Sequence, residues 1–298
     1  VVEFSIIITT YNRLALFKRA LASSFAQTMA CEIIVVDDAS EDGTREYLKG
    51  LEGKVKFQSN QFNCGHSACV NAGVRLATGD WIKLLDDDDY LAPTCIETMV
   101  EAISSHPQGV ICSCRAARVN LEGVEIGQTK GFSSEKLTLI RQEDIHYRML
   151  IEHLPFGTPA QVAFRKDAFL DSGGWDSSFD LDYDDIDSWV RIAQFGDAIL
   201  INQCLAYRTI WTGGYNQKSS LAERLAANMI IKEKIYALVH EKYRESLPSM
   251  SDIRNYLKLY WGLVAIKNNQ GLTGTKIAFP AMLSFSAWKL FLNALWIK

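Results

Sequence analysis

The chain has no excess of positive charge. Lys and Arg number 31 against 35 Asp and Glu, a formal net charge of −4. That balance gives no electrostatic case for binding nucleic acid. It also lacks a paired or metal-type cysteine framework. The seven cysteines, Cys31, Cys64, Cys69, Cys95, Cys112, Cys114 and Cys204, are odd in number, and no Cys/His spacing suits zinc. Cys112-Ser113-Cys114 lies in an apolar run and is expected to turn its two thiols to opposite faces of a strand. The reading is of reduced core cysteines in a cytoplasmic protein. No signal peptide is expected, because Phe4-Ser5-Ile6-Ile7-Ile8 is short and has no basic start. Internal repeats and low-complexity linkers are absent as well. Residues 276–298 are rich in Phe, Leu, Ile and Trp, but Pro280, Lys289 and Asn293 interrupt them, so a spanning helix is not expected.

What is present suits a large α/β domain with a helical appendage. Of the 298 residues 48% are hydrophobic and 22% charged, enough apolar material for a sizeable core. Apolar runs at Phe4 to Thr10, Glu32 to Val36, Val55 to Gln58, Trp81 to Leu85 and Val110 to Ala116 read as strands. They alternate with helical patterns at Leu14 to Phe25, Asp42 to Leu51, His66 to Ala77 (closed by Gly79 as a C-cap) and Pro93 to Ser104. Such alternation implies a mainly parallel sheet covered by helices. Further on, Val119 to Gln128 reads as a hairpin turning at Glu122-Gly123, and Gln142 to His153 as a helix. A rigid loop at 155–159 precedes a strand from Gln161 to Phe164. Asp171 to Trp175 is a tight turn, Asp184 to Phe195 a helix and Ala198 to Ile201 a strand. From Ser219 the pattern is helical, with Ser220 and Glu223 at capping-box spacing. The expected organisation is residues 1–218 as one domain and 219–298 as a helical region.

Ligands on such sheets bind beyond the C-terminal ends of the strands. Three polar clusters fall there: Thr9-Thr10-Tyr11-Asn12, Asp37-Asp38 and the run Asp86-Asp87-Asp88-Asp89. Four consecutive carboxylates after a buried strand are either a solvated acidic turn or the oxygen-rich setting that a hard divalent cation prefers. The convergence of three separate segments favours the second.

Seven segments then appear in order: Ile7 to Arg13, Val35 to Ser40, Asn63-Cys64-Gly65 with Asn71-Ala72-Gly73, Ala77 to Ile82, Leu85 to Asp89, Gly173 to Asp176 and Asp184 to Arg191. Together they resemble family 2 glycosyltransferases of the GT-A fold, a Rossmann-like α/β architecture, over residues 3 to 210. The resemblance implies inverting transfer of a sugar from a nucleotide diphosphate, usually a UDP-sugar, to a glycan or lipid-linked acceptor. It implies a donor site at Thr9, Tyr11, Arg13, Asp37, Asp38, Asn63, Gly65, Asp86 and Asp87. Thr9, Tyr11 and Asp38 would hold the base, with Asp37 bracing the turn or reaching the ribose. Mn²⁺ or Mg²⁺ would be held by Asp88, with Asp86 on metal or ribose. Asp185 would be the general base, with Asp184, Trp175 and Trp211 on the acceptor side. Arg191 reads as a structural pair.

Two departures stand out. Val70 occupies a position before Asn71 where the family often has arginine. Tyr207-Arg208-Thr209-Ile210-Trp211 lacks the histidine that often follows such a Tyr-Arg pair, leaving Arg208 or Trp211 to substitute. A catalytically degenerate binding module is the alternative. A nucleotidyltransferase is disfavoured because Thr9 to Arg13 is not a Gly-rich phosphate loop. For residues 276–298 the expectation is a hairpin packed on Tyr256 to Ile266, with peripheral contact at the inner face of a membrane as the other reading.

Overall fold

The computed structural model describes residues 2–131, 133–179, 183–211 and 220–297. In chain order the elements begin with β1 (Phe4–Thr10), α1 (Leu14–Phe25), β2 (Glu32–Asp37), α2 (Thr44–Lys49), β3 (Lys56–Ser59), α3 (His66–Leu76) and β4 (Trp81–Asp86). Next come β5 (Tyr90–Leu91), α4 (Cys95–Ser104), β6 (Gly109–Val119), β7 (Glu125–Gln128), β8 (Leu137–Ile140) and α5 (Gln142–Leu150). After β9 (Val162–Arg165), α6 (Lys166–Asp171), α7 (Asp184–Ile192) and β10 (Asp197–Thr209), four helices follow: α8 (Leu221–Leu238), α9 (Met250–Lys267), α10 (Gly271–Met282) and α11 (Phe285–Ile297). The chain forms two compact units. One comprises residues 1–141, 156–180 and 184–214; the other comprises 142–155, 181–183 and 215–298, so α5 joins the helical tail.

In the first unit β3, β2, β1 and β4 run parallel side by side. Every residue of β1 is buried, as a central strand covered on both faces requires. The register sets Thr9 opposite Asp86 and Thr10 opposite Asp37, so the three polar clusters emerge at one edge. Beyond β4 the sheet becomes mixed. β9 inserts antiparallel between β4 and β6, whereas β6 and β10 are parallel. β10 is much longer than the expected Ala198 to Ile201. Register shifts near Cys204 break the alternation that would mark it in the sequence. The hairpin forms as expected, with Gly123 at φ +80°.

Three expectations are corrected. Gly79 does not cap α3, whose C-cap is Ala77. It is a point of close approach: a Cβ there would lie 2.8 Å from backbone atoms of Phe4 and Ser5, and its N–H donates to Ser5 Oγ at 3.0 Å. The helix after Pro93 starts two residues later, at Cys95. Cys112 and Cys114 point to the same face, since side chains two apart on a strand must. Both lie in the main core with Cys95, whereas Ser113 turns the other way to donate to the Phe156 carbonyl. All seven thiols are free.

Lys83 lies fully buried in the middle of β4. Its ammonium donates to the carbonyls of Leu84 (3.0 Å), Pro159 (3.0 Å), Ala160 (2.6 Å) and Val162 (3.3 Å). Burial lowers its pKa. The charge thereby fastens the 159–162 segment to β4, directly beneath the aspartate run.

In the second unit the Ser220–Glu223 capping box opens α8. Lys232 is buried on this helix and donates to the carbonyls of Met149 (2.7 Å) and Leu150 (3.1 Å), with Glu152 at 2.6 Å. The expected hairpin on Tyr256 to Ile266 is present. α10 lies so close to α9 that a Cβ on Gly262 would fall 2.5 Å from that of Ala278. Ala281 and Ala287 pack with Leu259, and Ala294 with Tyr256 and Leu257.

Two stability outcomes are expected. Gly79→Ala forces a Cβ into backbone and should cost about 1–3 kcal/mol, read as a lower denaturation midpoint. Lys83→Ala leaves a cavity and strands several carbonyls, and should cost about 3 kcal/mol or more in the same titration.

Candidate functional site

Each of the four aspartates is held by its own set of neighbours, with Arg13 shared between two of them. Asp86 Oδ1 lies 3.3 Å from His66 Nε2. Asp87 accepts from Arg13 Nη1 at 3.0 Å and from the Tyr11 backbone N–H at 3.3 Å. Asp88 Oδ2 accepts from Trp211 Nε1 at 2.9 Å and from Arg13 at 3.4 Å. Asp89 accepts the Thr209 backbone N–H at 2.8 Å and is buried, which makes it a tie between β10 and the turn.

This crowding moves the titrations apart. Burial pushes Asp87 up to about 6 against the pull of Arg13. Burial and the facing Asp86 raise Asp88, and burial with Asp88 and Asp86 raises Asp89 well above the ordinary range. Burial would raise Asp86 too, but the His66 hydrogen bond and charge outweigh it and hold that carboxyl low.

His66 escaped the sequence reading. It opens α3, and its Nδ1 lies 3.1 Å from Asp184 Oδ2, so the ring bridges β4 and α7. Burial opposes its charge, and a cation at a helix N-terminus is disfavoured. The two carboxylates nevertheless hold its pKa well above the usual histidine value. Its only sequence signal is a histidine at the start of a helix that follows a strand end.

Asp184 and Asp185 start α7. Asp184 Oδ1 accepts the Asp185 N–H at 2.9 Å, and Asp185 Oδ1 accepts the Ile186 N–H at 2.7 Å. Burial, then the charges of Asp184 and Asp86, raise Asp185 to about 7, partly offset by Arg208. Arg208 also pulls Asp86 and Asp89 down, so it faces this cluster from β10. Arg191 is a structural residue as expected, pairing with buried Asp187 at 2.7 Å.

The remaining predicted residues divide. Thr9 is buried, and Tyr11 leaves 46% of its surface exposed at the strand end. Asp37 is fully buried, taking the Ser40 N–H at 3.0 Å and Arg45 Nε at 3.3 Å, so it braces the turn. Asp38 accepts the Cys64 N–H at 2.8 Å, the Gly65 N–H at 3.0 Å and Asn60 Nδ2 at 2.9 Å, and thus anchors the loop entering α3. Gly65 takes φ +89° there, and Asn63 is exposed on that loop. Trp175 is buried, edge-on to His66 at 5.1 Å, and its Nε1 has no acceptor among the described residues. Asn71 clasps the Trp175 backbone in both directions at 2.9 Å. Arg13 stacks over Trp211 at 5.3 Å, and the two border an open depression of about 320 Å³ with Asn12 and Asp42. Val70 is buried and contributes no charge, and the cations that act on the carboxylates include Arg13 and Arg208.

Among the described residues no cluster of three or more His, Cys, Asp or Glu side chains is arranged to enclose a metal. The donor set nonetheless suits a cation shared with a ligand. Asp86 and Asp88 face each other closely enough that one raises the other, and Mg²⁺-type sites commonly take one or two carboxylates plus phosphate oxygens and water.

Known proteins agree with this architecture. The profile described as Glycosyl transferase family 2 matches residues 5–173. An uncharacterized glycosyltransferase of Haemophilus influenzae is 29% identical over 213 residues, covering 70% of this chain and 68% of its own length. An uncharacterized glycosyltransferase of Mycoplasma pneumoniae, an MG060 homolog, is 39% identical over 109 residues, 34% of this chain; the match spans only 36% of that protein's length. Among solved structures, S. aureus TarS 1-349 in complex with UDP-GlcNAc superposes with a TM-score of 0.66 at 17% identity, over 98% of this chain and 79% of that one. That likeness establishes the GT-A fold. Because the family profile covers more than half of its residues, the chain belongs to glycosyl transferase family 2.

Proposed function

We propose that this chain transfers a sugar, with inversion, from a UDP-sugar to a hydroxyl of a glycan or lipid-linked acceptor, with Asp185 as general base. The observation that carries this reading is Asp185 itself: a half-buried carboxyl at the start of α7, next to Asp184 and raised to about 7 with Asp86 and Arg208 facing it. A base poised near the working pH is both ionised and able to hold a proton. Its Oδ1 is occupied by the Ile186 N–H, which leaves Oδ2 for the acceptor.

As the acceptor oxygen bonds to the anomeric carbon, the bond from that carbon to the diphosphate oxygen breaks. The electron pair leaves with UDP, and the acceptor proton passes to Asp185. Tyr11 offers an exposed ring face to the base, and Asp38 sets the loop carrying Asn63 and Gly65. Arg13 keeps Asp87 and Asp88 in place, and Arg208 lies near enough to stabilise negative charge on the phosphates. Asp88, with Asp86, would hold Mg²⁺ or Mn²⁺, which when bound supplies positive charge to the diphosphate. The TarS complex with UDP-GlcNAc supports uracil as the base.

Three outcomes are expected. Asp185→Asn should lower kcat by about 10²–10⁴-fold while UDP binding is retained; an unaffected rate would remove Asp185 from the chemistry. A protonated Asp185 cannot accept the acceptor proton, so kcat/KM for the wild type should rise with pH and level off above about 7. In calorimetry, UDP should bind more tightly with Mn²⁺ than without and in preference to GDP and CDP, and Asp88→Ala should lose the metal-dependent part. Folded protein that binds no nucleotide would instead favour the degenerate binding module.

A further inference from the structure

The second unit carries a charge asymmetry that the sugar-transfer chemistry does not use. From residue 253 to 298 there are six basic residues, Arg254, Lys258, Lys267, Lys276, Lys289 and Lys298, and no acidic one, in a chain whose net charge is −4. In the same stretch lie the three most exposed large apolar side chains among the described residues, Leu272, Leu283 and Phe285, each 85% exposed, and Phe279 is 64% exposed.

Two of these lysines, Lys276 and Lys289, lie among the exposed apolar side chains. On α10, Leu272, Lys276, Phe279 and Leu283 are spaced i, i+4, i+7, i+11 and all are exposed, the last at the helix C-cap. At 100° per residue they fall within a narrow stripe. The opposite stripe, Gly274, Ala278 and Ala281, is buried on α9. α11 repeats the design, with Phe285, Lys289 and Leu292 exposed and Ala287 and Ala294 buried. Each helix thus uses small residues to pack inward and presents large apolar residues around a lysine outward. A solvated surface helix normally shows the reverse.

We propose that the outer face of α10 and α11 seats this chain on an anionic phospholipid bilayer. Phe and Leu side chains would enter the acyl boundary, and Lys276 and Lys289 would remain at the headgroups. Charge selects this occupant. A second copy would bring one basic face against another, which repels, whereas each lysine or arginine gains at an anionic leaflet. Among the described residues no single helix is long and apolar enough to span; α10 and α11 reach that length only as a pair bent by 113°, so the proposal seats them in the interface. The inference stands apart from the donor and acceptor readings.

The test is co-sedimentation of the full chain with vesicles of phosphatidylglycerol and phosphatidylcholine, against vesicles of phosphatidylcholine alone. Binding to the anionic vesicles, falling with added salt, is expected. Lys276→Glu with Lys289→Glu should weaken it by about tenfold or more, and Leu283→Asp with Phe285→Asp should abolish it. Both pairs are exposed, so circular dichroism and Tm should be unchanged. No binding, equal binding to both vesicle types, or full binding by the two double variants would overturn the proposal. So would a dimer in light scattering that Leu283→Asp with Phe285→Asp dissociates, since that assigns the face to a second copy.

Discussion

Four adjacent carboxylates at the end of a buried strand are unstable unless each finds its own partner, and the surrounding structure meets that constraint. His66 takes Asp86, Arg13 takes Asp87 and shares Asp88 with Trp211, and the backbone of Thr209 takes Asp89. These partners come from α3, the end of β1 and the end of β10. Satisfying the aspartate run therefore adds side-chain ties between segments that already meet through the sheet, where β1 pairs with β4 and β10 with β5. Lys83 fastens the same strand from below through backbone carbonyls. With fewer partners, burial would simply protonate the cluster; with these, it keeps one carboxyl low and raises others.

That spread is what gives the site chemical direction. Asp86 is held ionised by His66, whereas Asp185 is lifted to about 7 by burial and by its acidic neighbours. Two carboxyls of equal intrinsic acidity are thus separated by environment, one suited to holding positive charge and the other to accepting a proton. The cations are placed to match. Arg13 and Arg208 face the cluster from different strand ends.

Much of the fold was legible because periodicity is local. β1 and α1 have the expected limits, and the parallel neighbours β3, β2, β1 and β4 follow from strand–helix alternation. The hairpin at Gly123 was visible from its turn residues. Elements defined by distant partners were not. The length of β10 depends on pairing along β6 across register shifts, and Gly79 is required by Phe4 and Ser5, more than 70 positions away in the chain. The opposed thiols expected at Cys112 and Cys114 failed on the two-residue repeat of a strand and needed no tertiary information.

By itself the sequence determined the family motifs, the strand ends on which they sit and the chemical types available there: carboxylates, an arginine, and aromatic residues. The tertiary structure alone decided how these are used. It set Asp37 as a brace of its turn, one of the two roles expected, and fastened the α3 loop to Asp38. It buried Trp175 behind His66 and brought Trp211 onto Asp88. It also placed His66 between carboxylates 20 and 118 residues away in the chain. Motifs are written in neighbouring residues, but a proton affinity is set by the charges and the solvent around a group, and those are known only once the chain has closed on itself.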